Sequence, residues 1–156
     1  MKNKKKLNQQ DTLLTTAVKT GDIKAVSAAL EAGAHINGRN FDGSTALFWA
    51  ARAGALNIVQ FLIDQGADVM ARDSVGNTAS SWASTNSHYK IAQLLALFIN
   101  GATGDTPLMK AIEFNYREFI PALLKKEHNI DVKNNDGNTA LMLAAYHGHL
   151  DLVLLL

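Results

Sequence analysis

Apolar and small residues recur three and four apart in short stretches along the chain. Leu47, Ala50 and Ala51 form one such set, Leu108, Ala111 and Ile112 another, and Leu141, Ala144 and Ala145 a third. That spacing places each set on one helical face. Each stretch follows a threonine: Thr45, Thr106 and Thr139. A threonine hydroxyl accepts from the unpaired N–H groups of a first helical turn, so each predicts a helix start. Pro107 strengthens one of them, because at a first helical position its missing N–H costs nothing. Gly21, Gly54 and Gly148 then predict helix stops through a left-handed cap, with Asn115 able to take the same geometry and Ser87 a poorer fit. A second apolar run follows each stop: Val26 with Ala29 and Leu30, Val59 with Leu62 and Ile63, Ala92 with Leu95 and Ala96, Ile120 with Leu123 and Leu124, and Val153 with Leu155 and Leu156. Gly33 and Gly66 end the first two of these. The pattern predicts pairs of short helices.

The pairs repeat. Thr45, Thr78, Thr106 and Thr139 are spaced by 33, 28 and 33 residues, and a further step of 33 back from Thr45 reaches Thr12. Five units result, at about 11–41, 42–74, 75–102, 103–135 and 136–156, after a basic flexible tail at 1–10. The connecting segments "GAHINGRNFDGST", "GADVMARDSVGNT" and "EHNIDVKNNDGNT" carry Asp-Gly and Asn-rich turn signals around short extended pieces. Such segments suit a small β-hairpin finger.

In period and in wording this resembles the ankyrin repeat. That family has a 33-residue unit with "T-P-L-H-x-A" opening the first helix, "G-H-L-E-I-V-x-L-L" leading the second and "G-A-D-V-N" beginning the finger. "STALFWAARAGALNIVQFLIDQGADV" and "NTALMLAAYHGHLDLVLLL" match closely, and "DTPLMKAIEFNYREFIPALLKKEHNI" matches well. The departures are Ser80, Ser81 and Ser84 in the third unit, Pro121 within the fourth unit's second helix, and the short join at 101–105. The resemblance implies an all-α fold: an α-solenoid of stacked helix-turn-helix repeats with short β-hairpin fingers. One unit cannot cover its own apolar face, so neighbours must stack. The last helix, "LDLVLLL", ends apolar and uncapped, which points to further units or to self-association through that helix.

Composition narrows the function. The chain has 156 residues, with an apolar fraction of 47% and a charged fraction of 19%, as expected of a folded domain rather than a disordered one. Net charge is +1, yet Lys2, Lys4, Lys5 and Lys6 supply four of the 15 basic residues, leaving 11 basic against 14 acidic in the body. A body of net −3 lacks the basic field that phosphate-backbone binding needs, and the tail offers only salt-sensitive, unspecific attraction, so no specific nucleic acid is expected. With no cysteine there are no disulfides, thiolate metal sites or cysteine nucleophiles. No apolar run is long enough to cross a membrane or to act as a signal peptide, so a cytoplasmic location is expected. There is no phosphate loop and no nucleophile elbow. The pair His147 and His149 superficially suits a metal, but His149 falls where the family pattern has a histidine and reads as a structural hydrogen-bonder. No enzyme, cofactor or metal is expected.

What remains is an interaction scaffold for an unidentified protein or peptide, docked on the concave side against fingers and first helices, as the resemblance implies. Two columns of first-helix residues stand out at the repeat period. One is Thr16, Trp49, Trp82, Lys110 and Leu143; the residue before it gives Thr15, Phe48, Ser81, Met109 and Met142. Trp anchors binding hot spots and Met suits adaptable surfaces. Trp49 and Trp82 equally suit packing between units, and the column of Phe48 and Met109 is the one expected to be exposed. Arg52, Phe114, Tyr146 and His147 lie just before the mid-unit stops, and Arg39, Phe41, Asp42 and Arg72 lie in the fingers; these complete the candidate partner-binding set. The short join lacks five residues of the period. It predicts a second helix running to Asn100, Gly101 as its cap, and a direct turn in place of one finger.

Overall fold

A computed structural model describes residues 9–99 and 103–156. It is an α-solenoid of five helix pairs: α1 (Gln9–Thr20) with α2 (Ile23–Glu31), α3 (Ala46–Ala53) with α4 (Leu56–Asp64), α5 (Ala79–Thr85) with α6 (Tyr89–Leu97), α7 (Pro107–Glu113) with α8 (Ile120–Lys126), and α9 (Ala140–Tyr146) with α10 (Leu150–Val153). Most of the expected basic tail, residues 1–8, lies outside the described residues. The chain divides into two compact units, one reaching Leu95 and one spanning Ala96–Leu156. In the first, α3 packs between α1 and α5; in the second, α7 packs against α9.

The helix boundaries follow local chemistry. The hydroxyls of Thr78, Thr106 and Thr139 accept from the backbone N–H of Ser81, Met109 and Met142. Thr45 starts α3 without such a bond, and its buried hydroxyl has no partner. Gly21, Gly54 and Gly148 stop α1, α3 and α9 at positive φ, and Asn115 and Ser87 take the same left-handed conformation at +56° and +61°. Pro121 lies inside the fourth unit's second helix, as expected, in the first turn of α8. A helix begun at Arg117, in register with the other units, would need the missing N–H of Pro121; Arg117–Phe119 therefore form turns and α8 starts late.

Side chains such as Leu47, Leu62 and Leu95 in the first unit, and Leu108 and Ile112 in the second, are fully buried. Each contributes ~1.5–3 kcal/mol of apolar burial.

The fingers are closed by one repeated turn. Asn40, Asp73 and Asn134 each donate a backbone N–H to the carbonyl four residues on, and the N–H of Gly43, Gly76 and Gly137 returns to their carbonyls. The side-chain oxygen of each also accepts two N–H groups, from Asp42 and Ser44, from Val75 and Asn77, and from Asp136 and Asn138. One carbonyl–amide pair closes each finger, so no described residue forms a strand, and the expected hairpins are Asx-closed turns. Gly43 needs its glycine: φ is +81°, and a Cβ would stand 2.9 Å from the Ser74 nitrogen.

At the short join α6 stops at Leu97 rather than at Asn100, with Phe98 in a turn and Ile99 in a bend. Gly101, the expected cap, lies outside the described residues. The outer half of the finger survives. Gly104 has φ +72°, like the glycine two before the threonine in other fingers. The Asn135 N–H reaches the Thr103 carbonyl at 2.9 Å, in the register in which Ser74 reaches Asp42. Contact between neighbouring fingers needs only that carbonyl and that glycine, so five residues can be lost without losing the stitch.

Candidate functional site

The period of 33 assembles the most distinctive site, wholly within the first unit. Trp49 on α3 and Trp82 on α5 occupy the same repeat position on helices that pack together. Three residues after each such position, on the preceding repeat, comes a cation: Lys19 before Trp49 and Arg52 before Trp82. The offset is visible in space. The Lys19 Nζ lies 3.7 Å from the centre of the Trp49 ring, and the Arg52 guanidinium carbon lies 5.4 Å from Trp49 and 5.2 Å from Trp82. Cation and indole thus alternate as Lys19, Trp49, Arg52, Trp82. Each cation over a ring face is attracted by ~0.5–1 kcal/mol at such exposed sites. Both cations also sit in the last turns of their helices, where the helix dipole favours positive charge.

Asp42, Ser44, Phe48, Trp49, Arg52 and Trp82 line a small open cleft. The two indoles are half-buried but differ in their N–H. Trp82 Nε1 donates to Asp73 Oδ2 at 3.0 Å. Trp49 Nε1 is shielded and has no partner. The finger residue equivalent to Asp73 is Asn40, one repeat earlier. Its amide offers one oxygen, already taken by Asp42 and Ser44, and an NH₂ that cannot accept. Partial burial raises the Asp73 carboxyl, but donors from Trp82, Asn77 and Val75 outweigh it and hold the group at about 2, below its ordinary 3.8.

Two expectations about exposure are overturned. Phe48 is 2% exposed and Met109 1% exposed. On α3, Ala46, Leu47, Phe48, Ala50 and Ala51 are all buried, because this helix is covered by α1, by α5 and by its own partner α4. A helix with three covered sides has no free face one residue from its core stripe. In the same column only Met142 is exposed among the large apolar residues.

Lys110 is likewise no surface residue. It is 8% exposed, and its ammonium donates to the Leu97 and Ile99 carbonyls. It stands in the Trp49 and Trp82 column but serves as the C-terminal cap of α6 at the short join. Arg39 and Arg72 are tied into the fingers: Arg39 donates to the Gly43 and Arg72 carbonyls, and Arg72 to the Gly76 carbonyl.

Phe41 stands at a finger tip with 78% of its surface exposed. Within the second unit, Phe114 and Tyr146 are exposed, Tyr146 meets the His147 ring edge-on at 5.2 Å, and His147 stacks on His149 at 5.9 Å. The structural hydrogen bond expected of His149 is made by its equivalent in an earlier repeat, His88, to the Arg52 carbonyl. Among the described residues no three His, Cys, Asp or Glu side chains gather as metal ligands.

Lys19, Ser44 and Asp73 belong to the site although the sequence did not single them out. Lys19 was findable: subtracting 33 from Arg52 reaches a second cation.

A family model for ankyrin repeats in three copies matches residues 1–73 and again residues 81–156. The chain belongs to the ankyrin-repeat family. Ankyrin repeats are generally protein–protein interaction modules, and the family is typically non-catalytic. Among the described residues of this ankyrin-repeat chain, no helix is long and apolar enough to cross a membrane.

Proposed function

We propose that the protein is a non-catalytic scaffold that binds a protein or peptide on the side formed by fingers and first helices, expected to be concave in an ankyrin array. The observation that carries this reading is the Lys19, Trp49, Arg52, Trp82 stack beside its cleft. Two half-exposed indoles held in place by cations are costly to leave uncovered and suit a binding hot spot. Phe41 at its finger tip extends the same surface, and Phe114, Tyr146, His147 and Met142 offer a further one in the second unit. Phe48 supports the first surface from beneath, Arg39 and Arg72 brace its fingers, and Met109 and Lys110 are buried within the second unit. A cytoplasmic partner is the expectation that goes with this reading.

The test replaces Trp49 and Trp82 with alanine in one variant, and Phe114 and Tyr146 in another. Loss of partner capture with an unchanged circular dichroism spectrum supports the reading and says which surface is used. Undiminished capture by both variants refutes it. A second reading rests on α10 and the two residues after it, where Leu150, Leu154 and Leu155 are exposed. Such a face suits a segment of a longer ankyrin array, or a second copy. Concentration-dependent association, abolished by replacing these leucines with Lys, supports that reading; a monomer at high concentration counts against it.

A further inference from the structure

We infer that the cleft beside Trp49 and Trp82 takes an acidic segment of a partner protein, its carboxylates paired with Lys19 and Arg52. This rests on the scaffold reading above and specifies the partner's chemistry. The Arg52 guanidinium carbon lies over two rings, and among the described residues no hydrogen bond or ion pair engages the N–H donors at the guanidinium edge. Those edge donors form the fork that matches a carboxylate. The Lys19 ammonium lies over the Trp49 ring as well, and a cation over a ring keeps N–H donors for a further partner. Among the described residues, neither cation has an ion-pair partner.

Of the nearby carboxylates, Asp73 is committed elsewhere and Asp42 in part. One oxygen of Asp42 accepts from Ser44, and both oxygens of Asp73 accept, from Val75 and Asn77 on one and from Asn77 and Trp82 on the other. Lys19 and Arg52 are thus the side-chain charges of the stack itself, both positive and both without an ion-pair partner, and their complement is a pair of acceptors with negative charge. Both cations lie within 5.4 Å of one ring, so two carboxylates on alternate residues of an extended segment, ~7 Å apart, span them. A nucleic-acid backbone fits less well. It needs a run of positive charge, and the stack supplies two cations.

The probe is a fluorescent peptide of alternating Glu and Ser, titrated into the full chain and read by anisotropy and by tryptophan emission. The same titration is run with a Lys–Ser peptide and with single-stranded DNA. The inference expects the Glu–Ser peptide to bind most tightly and to weaken as salt rises. It expects at least ~10-fold weaker binding to the Lys19→Gln, Arg52→Gln double variant, both positions being exposed. Absence of Glu–Ser binding, tighter binding of either other probe, or equal affinity of the double variant overturns it. The scaffold reading fails separately: if the Trp49 and Trp82 variant loses its partner while the charge variant keeps it, the surface stands and its acidic specificity does not.

Discussion

Replacing Asn40 by Asp is expected to stabilise the protein by copying one repeat into another. Asn40 and Asp73 occupy the same place in identical turns, each accepting the N–H groups two and four residues on. In the second of these repeats the spare carboxylate oxygen takes the indole N–H of Trp82; in the first, Trp49 has none to take. A shielded donor without a partner costs ~1–3 kcal/mol. The Trp49 ring is only half-buried, which argues for the lower part of that range. The expected gain for Asn40→Asp at pH 7 is ~1–1.5 kcal/mol, or ~2–6 °C in Tm for a chain of this size. The new carboxylate, hydrogen-bonded like Asp73, has a folded pKa below its unfolded value. Its contribution is thus present above about pH 3.9 and lost as pH falls through the folded value. Urea and thermal unfolding at pH 7 and at pH 2.5, with Asn40→Ala as control, measure this. Equal stability of Asn40→Asp and wild type at pH 7, or a gain that persists undiminished at low pH, refutes the pairing. Because the substitution also adds a negative charge, it is expected to weaken acidic-peptide binding while raising stability.

Ser87→Gly relieves a left-handed residue that is neither Gly nor Asn. It should raise stability by ~0.5–1 kcal/mol in urea unfolding, the left-handed penalty less the entropy of glycine, and a loss would show that Ser87 has another role. Lys110→Met strips the donor from the Leu97 and Ile99 carbonyls and is expected to destabilise by ~1–3 kcal/mol, with faster hydrogen exchange in Ala96–Leu156. An unchanged unfolding midpoint would contradict its capping role. Asp73→Asn is expected to flatten the acid limb of the stability profile. A depressed carboxyl stabilises above about pH 3.8 and loses that contribution as pH falls through about 2, so a variant that retains the wild-type limb assigns it to other groups.

The fold was legible because its determinants are local and periodic. Thr78, Thr106 and Thr139 cap as their spacing implies, and the stops at Gly21, Gly54, Asn115 and Gly148 take the left-handed backbone they suit. Periodicity also marked Trp49 and Trp82 as one column, and Arg52 was marked by its place before a helix stop. It failed for Phe48 and Met109, since an amphipathic pattern assumes one covered side and a middle helix of a solenoid has several. It failed for Lys110 because the column takes every unit as equivalent, whereas the shortened join left carbonyls at the end of α6 that the lysine serves. The difference between Trp49 and Trp82 turned on one atom, an amide nitrogen at Asn40 against a carboxylate oxygen at Asp73.

The central claim is the location of the binding surface. A photo-crosslinking residue at Thr85, exposed and one repeat after Arg52, probes the stack; one at Asn57, exposed on α4, probes a second helix. The account predicts that partner protein crosslinks at Thr85 and not at Asn57. Crosslinking at Asn57 with none at Thr85 would contradict it.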